Sequence, residues 1–448
     1  MDIHVASSPA GGGGRGKQRR KIKSRRRSFQ LPVVLVLIAM CIIVVSSILV
    51  ADNDPASSVT GKSSVVSHRS KFAGTKSTSG GHAVIYGLNG NSSSSLCTAK
   101  ARSIKVLSVT KDNSLMTQWN NYADSGVGWT GGDSVHAYSI GNGSILWSFA
   151  DSFLGPINSN GTRPFMAPLV HNLFVVQHGS EYHLKIDGNV NQPYPLVSSR
   201  NPRNFYLALS GAVEGDRFQE FLMEIHRQGN GGFHWQQVKT VIATFSLPAL
   251  KLTGVTPLRQ PNLSIQWGSY VMNLGGYAYI YGATATSTTQ KKMYLARVSS
   301  DDLTAKWQYF DGSGWTADAS RAAGIYDGAS EEFSVTPYDG VYIVINSSVS
   351  NKFSAKVNVL TGCSPEGPFS KVSSFVASYR VGPLGQSEFH SFKVWVYEAM
   401  DQPSLNRGPQ FLVSYNRNSL DYWDLFHSTA IYRPGYLWVT IGVGLKHS

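Results

Sequence analysis

Three acidic residues stand where carboxylates could work together. Asp133 and Asp151 lie on either side of a Gly141-Asn142-Gly143 turn, and Glu332 follows Glu331 at the head of the run Phe333-Ser334-Val335. Taken as a three-residue loop, with Gly143 in the left-handed region, the turn sets Ser139 opposite Ile145, Ala137 opposite Trp147, Val135 opposite Phe149 and Asp133 opposite Asp151. A two-residue Asn-Gly loop would pair Asp133 with Ser152 instead. The first register is preferred because it gathers Val135, Phe149, Trp147 and Ile145 on one apolar face. Two carboxylates then face each other with Cβ atoms about 4.5–5.5 Å apart. Such a pair is costly unless one member is protonated, a cation intervenes, or both serve a site. The chemistry would be proton transfer between an acid and a base. Adjacent strand residues point to opposite faces, so Glu332 shares its face with Ser334 and only one of Glu331 and Glu332 can enter a given cavity. The plainer alternative is that the aspartates cap turns and the glutamates are solvated at a strand start.

Other chemistries find no support. The sequence has no G-x-S-x-G, no H-E-x-x-H and no C-x-x-C, which argues against an α/β-hydrolase nucleophile, a zincin and structural zinc. His171 and His178 are too far apart in register to be expected as joint metal ligands. Trp315 and Trp423 could stack on sugar rings, although such residues more often fill the space between sheets.

The elements that must position these residues follow from composition. The 448 residues are 42% hydrophobic and 15% charged, with 44 Gly, 21 Tyr, 20 Phe and 10 Trp, a profile that favours strands and tight turns. The net charge of +13 is concentrated at the N-terminus, where residues 1–30 hold nine Lys/Arg against Asp2. Residues 101–448 are nearly neutral, so nucleic acid is not expected as a partner. Leu31–Ala51 is a run of 21 uncharged residues, long enough as a helix to cross a bilayer core of about 30 Å. The basic segment before it keeps the N-terminus cytosolic by the positive-inside rule. The expectation is therefore a single-pass type II membrane protein of the Golgi or endomembrane lumen or the cell surface. Its parts are a basic tail (1–30), a signal anchor (31–51), a Ser/Gly-rich stem (52–100) and one folded domain (101–448). Sequons at Asn91, Asn142, Asn160, Asn262 and Asn346 fit a glycosylated domain beyond the membrane. Cys97 and Cys363 are the two thiols expected there and could form a disulfide.

Within 101–448 short strand-like runs recur between turn signals: Ile145–Phe149, Phe174–Gln177, Phe205–Leu209, Tyr277–Tyr281, Val341–Ile345, Lys393–Tyr397 and Phe411–Tyr415. No long segment is read as helical. Starts at 145, 205, 277, 341 and 411 are spaced by 60, 72, 64 and 70 residues, which suits five four-stranded blades with long loops. The expected class is all-β, a five-bladed β-propeller.

The segment GWTGGDSVHAYSIGNGSILWSFADSFLG (128–155) resembles the first blade of five-bladed propellers of an uncharacterised-domain group related to arabinanase-like glycoside hydrolases, some of which degrade D-arabinan. HNLFVVQ (171–177), WGSYV with YAYIYG (267–282), EFSVTP (332–337) and FLVSYNRNS (411–419) match in the same order. Gln402-Pro403 departs from the His-Pro usual in the last blade. The resemblance implies a glycoside hydrolase-like domain acting on furanose-containing, arabinan-like glycans. Asp133 would be base or nucleophile, Glu332 the acid, and Asp151 the residue that orients Asp133 or tunes its partner. The matched stretches nominate His171, Asn172, Trp267 and Asn416 as sugar contacts. No cofactor is implied, with room left for a structural cation on the propeller axis. A catalytically silent propeller that binds glycans or proteins is the alternative. A Golgi glycosyltransferase fits the topology, but no D-x-D after an α/β pattern supports it.

Overall fold

The computed structural model describes residues 102–445, apart from 229–234, 260–263, 285–290, 350–354 and 378–392. The expected anchor, the stem, Cys97, Asn91 and Asn262 lie outside the described residues. Among the described residues no helix is long and apolar enough to cross a membrane.

The domain is all-β, built from five antiparallel sheets that follow one another along the chain, with two small sheets beside them, Trp129–Gly132 with Ser152–Leu154 and Leu169–Val170, and Asp187–Asn189 with Gln192–Tyr194. Blade 1 is His136–Ser139, Ser144–Phe149, Leu173–His178 and Glu181–Lys185. Blade 2 is Asn204–Glu214, Arg217–Arg227, Trp235–Ser246 and Lys251–Pro257. Blade 3 starts with Ile265–Leu274, Tyr277–Thr284 and Lys291–Ser299, whose outer edge takes both Gln308–Phe310 and Gly324–Ala329. Blade 4 is Phe333–Tyr338, Val341–Ser347, Lys356–Gly362 and Ser370–Val376. Blade 5 is Val394–Asp401, Gln410–Ser419 and Gly435–Leu445, and its outermost strand is Arg102–Lys111 from the other end of the chain.

The first strand of each blade packs beside the first strand of the next, and the 3-10 turn Pro403–Leu405, between the first two strands of blade 5, packs on the first strand of blade 1. Gln402 completes the contact: its Oε1 accepts from Ala137 N–H at 2.7 Å and its Nε2 donates to Val135 O at 2.8 Å. This ring of five sheets around their first strands is the layout of a propeller. Gln402 thus spans blades 5 and 1 at the place where the His-Pro was expected.

The apolar faces named from sequence are buried. Trp147, Phe149 and Val135 join Trp129 and Tyr436 in one cluster, while Phe174, Phe218 and Phe245 meet between blades 1 and 2 and Phe221 packs on Trp307 on the blade 3 side. Two expectations need correction. The strand at 205 is the first of its blade, whereas those at 145, 277, 341 and 411 are second strands. The sequence also contains a helix, Asn113–Asp124, with Asp112 as N-cap accepting from Leu115 N–H at 2.9 Å. Leu115, Met116, Trp119, Tyr122 and Ala123 give it a stripe at helical spacing that packs on blade 1.

Among the sequons, Asn142 and Asn160 are exposed. Asn346 is fully buried: its Oδ1 accepts from Ser330 N–H, and its Nδ2 donates to Gly328 O and Ser347 O. A glycan there is incompatible with this fold. Cys363 is disulfide-bonded.

Candidate active site

The hairpin around Gly141-Asn142-Gly143 has the preferred register: Ser139 faces Ile145, Ala137 faces Trp147 and His136 faces Ser148. Gly143 has the expected positive φ, and Gly141 and Asn142 have positive φ as well, beyond what a three-residue loop requires. Beyond the strand ends Asp133 N–H donates to Asp151 O at 3.1 Å, and Ala150 N–H donates to Asp133 O at 3.0 Å. Asp133 therefore opposes both Ala150 and Asp151, a bulge that brings the two aspartates together. Asp151 N–H also donates to Asp133 Oδ1 at 3.1 Å.

Asp133 is 1% exposed, and two tyrosine hydroxyls converge on its Oδ2: Tyr397 at 2.7 Å from blade 5, and Tyr432 at 2.6 Å from the loop before the last strand. Burial and the charge of Asp151 push its pKa up to about 8, with the two tyrosine hydrogen bonds pulling the other way and Glu332 adding to the rise. Both tyrosines are pushed well above their usual range, by burial first and by the Asp133 charge next, so they remain donors.

Asp151 is equally buried. Its Oδ1 meets His171 Nδ1 at 2.7 Å, and among the described residues its Oδ2 has no hydrogen-bond partner. On the far side of His171, Nε2 lies 3.1 Å from Arg227 Nη2. Arginine can only donate, so Nε2 accepts and the proton of the neutral ring sits on Nδ1, donated to Asp151. His171 also stacks on Phe205 at 4.1 Å, and Arg227 lies over the same ring.

Glu332 enters from the start of blade 4. Ser134 Oγ donates to its Oε1 at 2.5 Å, and His136 Nε2 lies 3.1 Å from its Oε2. Ser134 reaches it from a left-handed backbone, φ 52°, directly after Asp133. The backbone of Glu332 is held in turn: Ser330 Oγ donates to Glu332 O at 2.6 Å, and Ser330 N–H is held by Asn346. Lys291 pairs with the neighbouring Glu331 at 3.5 Å.

Sequence reasoning missed Tyr397, Tyr432 and Glu398. Glu398 lies on the first strand of blade 5 with φ 48°, at a register shift between Tyr397 and Met400. Its Oε2 accepts from Asn416 Nδ2 at 2.7 Å. Burial, followed by the charges of Glu332, Asp133 and Glu331, raises its pKa well above the carboxylate range. The available signal was an acid inside the otherwise apolar run Val394–Met400.

The proposed sugar contacts divide. His171 belongs to the site and keeps some open surface. Asn416 is 1% exposed and holds Glu398 rather than facing a ligand. Asn172 is a buried clamp on the backbone of Val197 and Tyr206. Trp267 is 3% exposed and packs edge-on against Trp307 in the core. Trp315 carries Arg297 over its ring, and Trp423 stacks half-exposed on Phe165.

Asp133 and Glu332 stand just before the first strands of blades 1 and 4, at one end of the axis, and Glu398, inside the first strand of blade 5, lies near enough to feel both charges. The opposite end opens into a separate cavity of about 460 Å³ lined by Tyr138, Ser210, Tyr270, Thr336 and Asp401. His136 lines that cavity as well as contacting Glu332. Among the described residues no group of three or more His, Cys, Asp or Glu is arranged to hold a metal ion.

Residues 116–440 match the family described as a domain of unknown function, DUF5005. No curated protein matches the chain. Among solved structures, a candidate hydrolase from Bacteroides ovatus superposes with a TM-score of 0.59 at 21% identity, over 77% of this chain and 95% of that one. An arabinoxylan arabinofuranohydrolase of glycoside hydrolase family 43 from Bacillus subtilis gives 0.41 at 15% identity, over 73% and 65%. An α-L-arabinofuranosidase from Clostridium thermocellum gives 0.37 at 12%, over 63% and 81%.

Proposed function

The chain belongs to the DUF5005 family, and from the carboxyl cluster in its propeller we propose that it is a glycoside hydrolase acting on furanose-containing, arabinan-like glycans. The observation that carries this reading is the convergence of Asp133, Asp151, Glu332 and Glu398 at one end of the axis. Four acids gathered in a buried site with two tyrosine donors are costly to folding and useful for proton transfer. Hydrolysis of a glycosidic bond needs one carboxylate to supply or activate the nucleophile and one carboxylic acid to protonate the leaving oxygen.

Asp133 suits the first task. Three donors fix its orientation, and its pKa of about 8 allows it to gain and lose a proton near neutrality. Asp151, steadied by His171, adds its charge to the burial that raises this value. Glu332, the acid of the sequence reading, has both oxygens engaged by Ser134 and His136 and is 3% exposed, which leaves it no open oxygen to offer a leaving group. In this reading the domain works beyond the membrane from its basic tail, held there by the 31–51 span. An N-terminal tag accessible from outside intact cells would reject that topology.

The purified protein should release reducing ends from an arabinan within a panel of furanoside and pyranoside polymers. Asp133→Asn should fold and lose about 10²–10⁴-fold in rate. A folded wild type that leaves the whole panel uncut would favour a propeller that only binds. The near-complete burial of Asp133, Asp151 and Glu332 is the observation on that side.

A further inference from the structure

Resting on the glycosidase reading, we infer that Glu398 is the group that protonates the departing sugar oxygen. The task needs a carboxyl with a free oxygen facing the substrate, within the field of Asp133. Of the four acids, Glu398 alone is both incompletely buried and left with an oxygen that takes no hydrogen bond among the described residues. Asp133, Asp151 and Glu332 are 1%, 1% and 3% exposed, whereas Glu398 is only partly buried. Its Oε2 is occupied by Asn416, and among the described residues no hydrogen bond falls on its Oε1.

The backbone explains how it reaches the site. Neighbouring strand residues normally point to opposite faces, yet Tyr397 bonds Asp133 while Glu398 feels the charges of Glu332 and Asp133. The register shift and the left-handed φ of Glu398 break the alternation there. A non-glycine residue held in that region is strained, and such positions gather at functional sites. Among the described residues the charges acting on Glu398 are those of Glu332, Asp133 and Glu331, with Asn416 bonded to it and Tyr397 beside it, and these surroundings favour the protonated form.

In the step itself the Oε1 proton passes to the glycosidic oxygen. The bond from that oxygen to the anomeric carbon breaks, and its electron pair stays on the oxygen. The anomeric carbon takes an electron pair from Asp133 or from a water that Asp133 deprotonates. One water is consumed overall, and Glu398 regains its proton from solvent.

The experiment compares two substrates with one sugar: the glycan, whose leaving alcohol needs a proton, and a dinitrophenyl furanoside, whose leaving group does not. Glu398→Gln should lose about 10²–10⁴-fold on the glycan, lose less than about tenfold on the dinitrophenyl substrate, and lose the basic limb of the kcat/KM profile. Asp133→Asn should lose both activities. Glu398→Asp, which keeps the acid on a shorter arm, should retain the basic limb at a reduced rate, and it carries the test if the glutamine variant does not fold. Equal losses of Glu398→Gln on both substrates, or none on the glycan, would overturn the assignment while leaving the glycosidase intact. A folded wild type that cuts neither substrate would overturn the glycosidase reading, and this inference with it.

Discussion

Asp133 exists at a thermodynamic cost that can be measured without any substrate. An aspartate in an unfolded chain titrates near 3.9, whereas this one is raised to about 8. Between those values the folded state binds more protons than the unfolded state, so stability falls as pH rises through the window and levels off above it. One such group contributes a slope of up to about 1.4 kcal/mol per pH unit. Urea unfolding of the wild type between pH 5 and pH 8 should show this decline, and Asp133→Asn should remove that share of it. An unchanged slope in the variant would mean that Asp133 is ionised throughout. The Asp133–Asp151 encounter was legible in the sequence because a glycine-bounded turn and an apolar face fix the hairpin register. Tyr432 was not legible, because a loop some 300 residues away delivers it. Glu398 was hidden by a bulge, since period-two reasoning assumes an unbroken strand.

At the scale of elements the site depends on supports that do not touch it. Arg163, 3% exposed, donates to Leu425 O, Thr130 O and Thr429 O, tying the loop that carries Tyr432 to the strand that precedes Asp133. The helix Asn113–Asp124 buttresses the same blade through Trp119, which meets Trp129, Trp147 and Phe149 edge to face at 4.8–5.5 Å. Trp119→Ala should cost about 3–5 kcal/mol in urea unfolding, and a loss below about 1 kcal/mol would show that the helix is an ornament on the blade. The strands were read from alternation and turn residues, but this helix was overlooked. Its stripe is broken by Ser, Thr and Asn of indifferent helix propensity, and packing rather than propensity stabilises it.

At the scale of the whole molecule, the strand Arg102–Lys111 from the start of the domain completes the last blade by pairing with Gly435–Leu445. A chain shortened to begin at Asn113 should leave the outer edge of that blade unpaired and the cluster of Ile104, Val439 and Ile441 open to water. Its thermal transition should fall by many degrees or lose cooperativity in a calorimetric scan; an unaltered transition would show that the ring holds without this strand. The five-part division was visible in sequence as recurring strand runs, but the closure was not, since nothing local marks a first strand as the partner of a last one.

The same seam has a mechanical consequence. Arg102 is paired with Leu445 and Lys111 with Leu437, so the two ends of the domain leave from the same point on its rim. A pull on one end against the other would load the ladder one hydrogen bond at a time, like a zipper, and would not shear all of it at once. The first event under tension would be peeling at this seam, with the carboxylate end of the axis, several strands inward, still assembled.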